Sequence, residues 1–283
     1  MTKHDELELK KLACRARMNI LTATHAAKAG HPGGSLSSTE VFTYLYFREM
    51  NVNPKNPKEE GRDRFVLSKG HSAPGLYSVL AMRGFFPEED LLTLRQANSY
   101  LQGHPNMNLV PGVDMSTGSL GQGISAACGM ALGAKCKEQE LRIYTLLGDG
   151  ELEEGEVWEA AMFAAHHKLD NLCVLVDCNG LQIDGPVNEV MNPNPVDEKF
   201  RAFGFFVQTI SGHSFEALEE AFSAAREEKG RPSAILLKTT KGKGVSYMEN
   251  SVGWHGKAPN DAEYEQGMAE LCAALAELEA ETV

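Results

Sequence analysis

The stretch from Leu146 to Gly185 constrains the fold most, because two short apolar runs there each end in a cluster of oxygen donors and glycines. Ile143–Leu147 and Leu172–Val176 read as strands buried on both faces of a parallel sheet. Glu154–His167 between them has helical periodicity, so the three segments predict one βαβ unit. In such sheets ligands gather at the carboxyl ends of the strands. Gly148-Asp149-Gly150 follows the first run, and Asn179 stands at the end of the second, thirty positions after Asp149. Both are expected in one crevice.

A hard cation takes oxygen ligands and shares its shell with phosphate oxygens, so the physical reading is a magnesium diphosphate site. Asp149 would supply charge and Asn179 a neutral amide oxygen, while Gly148 and Gly150 let the backbone approach a phosphate. An isolated Gly-Asp-Gly is more often a plain strand-end turn with Asp capping a helix. The second cluster at Asn179 is what separates the two readings.

The rest of the chain repeats this strand, small turn, helix pattern. Glu6–Ala29 reads as an amphipathic helix that stops at Gly30. Gly30-His31-Pro32-Gly33-Gly34 is then a tight turn before a new helix, for which Ser37-Ser38-Thr39-Glu40 reads as a capping box. His31 is either presented to a ligand or simply faces water. Arg64–Leu67 is a short strand delivering Ser68-Lys69-Gly70-His71 to the turn before the helix opened by Ser72-Ala73-Pro74. Lys69 and His71 read as phosphate-facing donors, with a solvated surface lysine as the alternative for Lys69. His104 rides a Pro- and Gly-rich loop over residues 101–114. The glycines and alanines of the predicted helix Ser119–Lys135 imply very close packing, since each glycine costs about 1 kcal/mol in a helix. Phe203–Ile210 and Ala234–Lys238 read as further strands around a helix over Ser214–Lys229. Lys241-Gly242-Lys243-Gly244 and Trp254-His255-Gly256 follow, and an acidic helix over Asp261–Thr282 reads as a solvated cover for one side of the sheet. The predicted fold is a doubly wound parallel α/β sheet with helices on both faces, and residues 1–283 are expected to form a single domain.

Composition narrows the partners. A formal net charge of −12 argues against nucleic acid and against an anionic membrane surface. No run of eighteen apolar residues and no secretory signal is visible, so a cytoplasmic location is expected. The six cysteines lack a Cys-x-x-Cys spacing, which excludes the usual zinc cluster. Cys14, Cys128 and Cys173 lie in apolar, core-like settings.

Taken together, Gly30-His31-Pro32-Gly33-Gly34, Ser68-Lys69-Gly70-His71, Gly103-His104-Pro105, Thr117-Gly118-Ser119-Leu120-Gly121-Gln122-Gly123, Gly148-Asp149-Gly150 with Asn179, and Trp254-His255-Gly256 resemble the transketolase family, in family order from about Arg15 to Pro259. The resemblance implies thiamine diphosphate with magnesium, for which calcium or manganese can stand in. It assigns Asp149, Asn179 and the backbone carbonyl of Leu181 to the metal. His71, Gly118, Leu120, Gly150, Glu154, Asn179, Ile183, Lys241 and His255 would contact the cofactor, with Leu120 and Ile183 against its thiazolium ring. His31, His104 and His255 would face the sugar and move its protons, whereas His166 and His167 serve packing or solubility. Glu154 and Glu159 occupy positions near a subunit interface, where Val157-Trp158 is expected to offer apolar surface.

Against the family pattern, a pyrimidine-binding domain and a further C-terminal domain are absent from this sequence. The resemblance is therefore to the amino-terminal subunit of a split bacterial transketolase. Such a subunit transfers a two-carbon ketol unit from a ketose phosphate to an aldose phosphate only with a separately encoded carboxy-terminal subunit. The implied assembly is α2β2, containing a homodimer of this chain. The alternatives are a half of a deoxyxylulose-phosphate synthase-like enzyme, which Ser-Lys-Gly-His and Gly-His-Pro disfavour, and a non-catalytic scaffold of the same fold.

Overall fold

The computed structural model describes residues 1–281. Five parallel strands form one sheet in the order β1-β2-β3-β5-β4, comprising β1 (Arg64–Leu67), β2 (Ile143–Gly148), β3 (Leu172–Cys178), β4 (Phe206–Ser211) and β5 (Ser233–Lys238). The helices are α1 (Lys3–Ala27), α2 (Pro32–Ser37), α3 (Thr39–Tyr44), α4 (Ala73–Arg83), α5 (Gln122–Cys136), α6 (Gly155–His166), α7 (Val187–Val190), α8 (Val196–Ala202), α9 (Phe215–Glu227) and α10 (Asp261–Ala280).

Side chains alternate across each strand, so the apolar runs feed two cores. Phe65, Leu67, Tyr144, Leu146, Cys173, Leu175, Ile235 and Leu237 pack beneath α1, α3, α4 and α9. Val66, Ile143, Leu147, Val174, Val176 and Leu236 pack beneath α5, α6 and α8. β1, β2, β3 and β5 are thus apolar on both sides, as the sequence predicts for a doubly wound sheet, whereas the edge strand β4 is half-exposed and carries Gln208, Thr209 and Ser211. Pairing of Gly148 with Asp177 across β2 and β3 sets the ends of these two strands level, and β1 and β5 end beside them.

Several predicted features differ. The Ser37–Glu40 capping box does not form, because the helical path already starts at Pro32 and all four side chains are buried. Ser37 Oγ instead donates to Asp177 at 2.6 Å, and Glu40 pairs with Arg17. β4 starts at Phe206, since Phe203 caps α8 and Gly204 turns the chain with φ +96°. Asp261–Ala280 covers α1 rather than the sheet, through a third cluster of Cys14, Ile20, Leu21, Trp254 and Leu271. The last residue predicted for that helix, Thr282, lies outside the described residues. Close packing on α5 holds at Gly123, where a Cβ would sit 2.6 Å from Ser68 Cα, whereas Gly129 and Gly133 face open space. Val157 is fully buried and the Trp158 ring stacks on Phe203, so neither offers the outward apolar surface expected. On α6 that surface is Met162 and Phe163. Among the described residues all six cysteines are free, with Cys14, Cys128 and Cys173 buried.

Candidate active site

Four strands, β1, β2, β3 and β5, deliver their following turns to one cavity of about 260 Å³. His71, Leu120, Asp149, Gly150, Glu154, Asn179, Leu181, Ile183, Lys241 and His255 line it. His31, His104 and Gly118 lie beside it. The His31 ring stands 5.4 Å from His71, 5.5 Å from His255 and 6.2 Å from His104, centroid to centroid. Gly118 lies flat against His104, where a Cβ would come within 3.2 Å of the ring. The glycine after Pro32 has a similar reason: a Cβ on Gly33 would sit 2.8 Å from the Trp254 carbonyl oxygen, so the turns bearing His31 and His255 meet there.

Asp149 is 7% exposed, and its two carboxylate oxygens accept from the Gly150 N–H at 2.9 Å and the Gly180 N–H at 2.6 Å. Burial, reinforced by Asp177, raises its pKa to about 6 despite those bonds. An ionised Asp149 therefore favours a cation beside it. Asn179 donates its amide N–H to Asp177 at 2.8 Å, which turns the amide oxygen the other way, where it accepts from Leu181 N–H at 3.0 Å. The donor set of one carboxylate, one amide oxygen and one carbonyl leaves most of a six-coordinate shell for phosphate oxygens and water. It fits a hard cation shared with a diphosphate. Among the described residues no group of three or more His, Cys, Asp or Glu side chains forms a self-sufficient metal cage.

Lys241 supplies positive charge. Its ammonium donates to the Leu181 carbonyl and to His255 Nδ1, both at 3.0 Å, and retains a third N–H. Burial, followed by repulsion from Lys69, lowers its pKa to about 8. Because an ammonium can only donate, His255 carries its own proton on Nε2. The histidines are all neutral near pH 7: burial lowers His31 to about 4 and His255 to about 3, and pushes His71 and His104 down as well. His31 Nδ1 is buried without a partner, an unsatisfied ring nitrogen.

Lys69 lines the same cavity, but it is not a solvated surface cation and its charge is already paired within the protein. Its ammonium is buried, donating to Asp177 at 2.6 Å and to the Gly34 carbonyl at 2.9 Å. Asp177 itself, absent from the sequence-based candidates, is fully buried and also accepts from Ser37 and Thr239. Glu151 is a second omission: buried after the Gly148-Asp149-Gly150 turn, it accepts from Ser68 Oγ, Gly121 N–H and Gly148 N–H. This holds the loop that carries Leu120. The available signal for Asp177 was an acidic residue closing the apolar run Leu172–Val176, whereas Glu151, between Gly150 and Leu152-Glu153-Glu154, carries no such signal. Glu159 is exposed on α6 and lines a separate groove with Gly129 and Phe163.

Residues 9–274 match the family described as transketolase, thiamine diphosphate binding domain. The chain is 47% identical over 266 residues to the 6-deoxy-6-sulfo-D-fructose transketolase subunit SqwG of Clostridium sp. strain MSTE9, covering 94% of this chain and 97% of that one. It is 42% identical over 277 residues to one subunit of the apulose-4-phosphate transketolase of Phocaeicola vulgatus, covering 98% of each. With human transketolase the identity is 44% over 253 residues, but the match spans 88% of this chain and only 40% of the human protein. The crystal structure of transketolase from Campylobacter jejuni superposes with a TM-score of 0.87 at 32% identity, over 98% of this chain and 46% of that one. The chain belongs to the transketolase family, in which it corresponds to the thiamine diphosphate-binding domain.

Proposed function

We propose that this chain is the thiamine diphosphate-binding, amino-terminal subunit of a two-subunit transketolase, active only with a separately encoded subunit that supplies the pyrimidine-binding domain. The observation that carries this reading is the charge pattern of one cavity. A buried carboxylate calls for a cation, and a buried lysine with a spare N–H calls for an anion. Four neutral histidines adjoin them. Relatives matched along nearly their whole length are named as transketolase subunits, which supports the dependence on a partner.

In this reading Asp149, the Asn179 amide oxygen and the Leu181 carbonyl hold magnesium, or calcium or manganese in its place. Lys241, His71 and the Gly150 backbone contact the diphosphate. Leu120, Gly118, Glu154 and Ile183 border the ring system, Ile183 with 62% of its surface free for that contact. Thiamine diphosphate supplies a nucleophilic carbon and an electron sink for C–C cleavage. The chain's histidines manage the protons. A neutral imidazole with an accessible bare nitrogen can accept from a sugar hydroxyl and return the proton. His31 would do so through the ring edge opposite its buried Nδ1, while His255, its Nδ1 taken by Lys241, offers its Nε2–H as a hydrogen bond to a developing alkoxide. His104, the most exposed of them, faces the substrate side.

The substrates we infer are ketose and aldose phosphates or similar acidic sugars, in keeping with the sugars named for the relatives. One domain, a cytoplasmic location and an α2β2 assembly complete the proposal. Free cysteines suit a reducing compartment, and the exposed Met162 and Phe163 beside open glycines on α5 suit a contact between two copies of this chain. The test mixes this chain with its candidate partner and measures ketol transfer and magnesium-dependent thiamine diphosphate binding. Activity only in the mixture supports the proposal. Full activity of this chain alone, or no cofactor binding by the mixture, overturns it.

A further inference from the structure

A buried chain of charge outside the cofactor cavity grips the turn that carries Lys241. Arg17 on α1 and Glu40 on α3 are each 7% exposed, with Arg17 Nη2 donating to Glu40 Oε1 at 2.5 Å. The other Glu40 oxygen lies 3.0 Å from His213 Nδ1, on the loop after β4. His213 Nε2 lies 2.8 Å from the Thr240 backbone nitrogen. Arg17 Nε also donates to the Lys243 carbonyl at 2.9 Å. One network therefore holds both ends of the turn, at Thr240 and at Lys243, with Lys241 between them.

The direction of each bond is fixed by chemistry. A backbone N–H only donates, so His213 Nε2 is an acceptor and its proton sits on Nδ1, donated to Glu40. A carboxylate that orients a histidine tautomer is a familiar device around functional groups. Here the oriented histidine receives a backbone N–H, and the residue after that N–H reaches into the cavity. The Lys241 ammonium then donates to the Leu181 carbonyl and to His255 Nδ1. None of the three network residues lines the cofactor cavity; they border a separate void of about 190 Å³.

We propose that Arg17, Glu40 and His213 are positioning residues, which hold the Thr240–Lys243 turn so that Lys241 meets the diphosphate and fixes the tautomer of His255. The proposal rests on the thiamine diphosphate reading of the cavity. A merely structural network would change the melting point of the free protein without selectively weakening diphosphate binding.

His213→Phe keeps the ring volume but removes both nitrogens, and His213→Gln retains an acceptor that can reach the Thr240 N–H. The full chain is titrated calorimetrically with thiamine diphosphate, and separately with inorganic pyrophosphate, each with magnesium. In the mixture with the partner, KM is measured for the cofactor and for the sugars. The expected result for His213→Phe is a loss of about tenfold or more in affinity for both diphosphates, the scale of supporting-residue effects, with a matching rise in cofactor KM and unchanged sugar KM. His213→Gln is expected within about threefold of wild type. Equal affinity in His213→Phe and wild type overturns the proposal, as does an equal loss in both variants. If His213→Phe does not fold, Glu40→Gln replaces it, keeping the side-chain shape but losing the charge that orients His213, and wild-type affinity there overturns the proposal. Wild-type protein that binds neither diphosphate, alone or with the partner, counts against the cavity reading instead.

Discussion

Replacing Asp149 by asparagine separates the electrostatics of the site from its chemistry. In the metal-free protein, burial and Asp177 raise the Asp149 pKa from 3.8 to about 6, which corresponds to about 3 kcal/mol. The folded-state value lies above the unfolded one, so ionisation of this group destabilises the metal-free fold. That penalty is absent below about pH 4, grows between about pH 4 and 6, and is complete above. Asparagine removes it but turns an amide N–H₂ towards Gly150 N–H or Gly180 N–H, a mismatch costing about 1–3 kcal/mol at every pH. The variant should therefore be less stable than wild type by about 1–3 kcal/mol at pH 4, and between equally stable and about 2 kcal/mol more stable at pH 7. The assay is urea unfolding of both proteins in chelator across this range, read as a difference so that other carboxylates cancel. Magnesium with thiamine diphosphate at about a hundred times Kd should add about 2.7 kcal/mol to wild type at pH 7 and much less to the variant. A stability difference independent of pH would refute the electrostatic argument. Unchanged magnesium-dependent binding would refute the role of Asp149 as a metal ligand.

His31→Ala should lower turnover about 10²–10⁴-fold, the usual effect of losing a proton-transfer group, and His255→Ala about 10²–10³-fold, the usual effect of losing a donor to developing negative charge. His31 loses no side-chain hydrogen bond in the process, so its melting temperature should stay close to wild type; a collapse of melting with normal specific activity would make it structural. Gly33→Ala should destabilise by about 1–3 kcal/mol in thermal melts, because its Cβ would sit 2.8 Å from the Trp254 carbonyl oxygen and force the two histidine turns apart. Asp177→Asn should cost about 3–5 kcal/mol, since it leaves the Lys69 ammonium buried without its counter-charge; chemical unfolding near pH 7 checks this.

The parts of this structure that a short window determines were legible in the sequence. β1 falls on its predicted span, and β2, β3 and β5 lie within two residues of theirs, because continuous apolar runs bounded by glycine, serine and asparagine have few other uses. Their shared direction then brings Asp149 and Asn179 together, as strand-end logic requires. What the sequence hid depends on partners far away along the chain. Ser37 and Glu40 have the spacing of a capping box, but Asp177 and Arg17 claim their side chains, and nothing local reveals that. Trp158 beside Val157 reads as interface, yet Phe200 and Phe203 occupy its ring. Lys69 is the sharpest case: in a Ser-Lys-Gly-His turn a lysine suggests phosphate, and only the fold places it on a fully buried aspartate.

These hidden pairs explain how such a polar site keeps its shape. Lys69 and Asp177 neutralise each other while joining the ends of β1 and β3, and Asp177 adds Ser37 from α2 and Thr239 from the end of β5. The same carboxylate takes the Asn179 amide N–H, so the group that binds the sheet ends together also aims the proposed metal ligand's oxygen. Glu151 does the equivalent for the Leu120 loop through Ser68 and Gly121. Asp149 and Lys241 differ from these, since among the described residues neither has an oppositely charged side chain within bonding distance. Fully satisfied buried charges rigidify a fold, whereas partly satisfied ones mark where a ligand completes the set. The free energy left unmet at Asp149 and Lys241 is what a magnesium diphosphate would recover on binding.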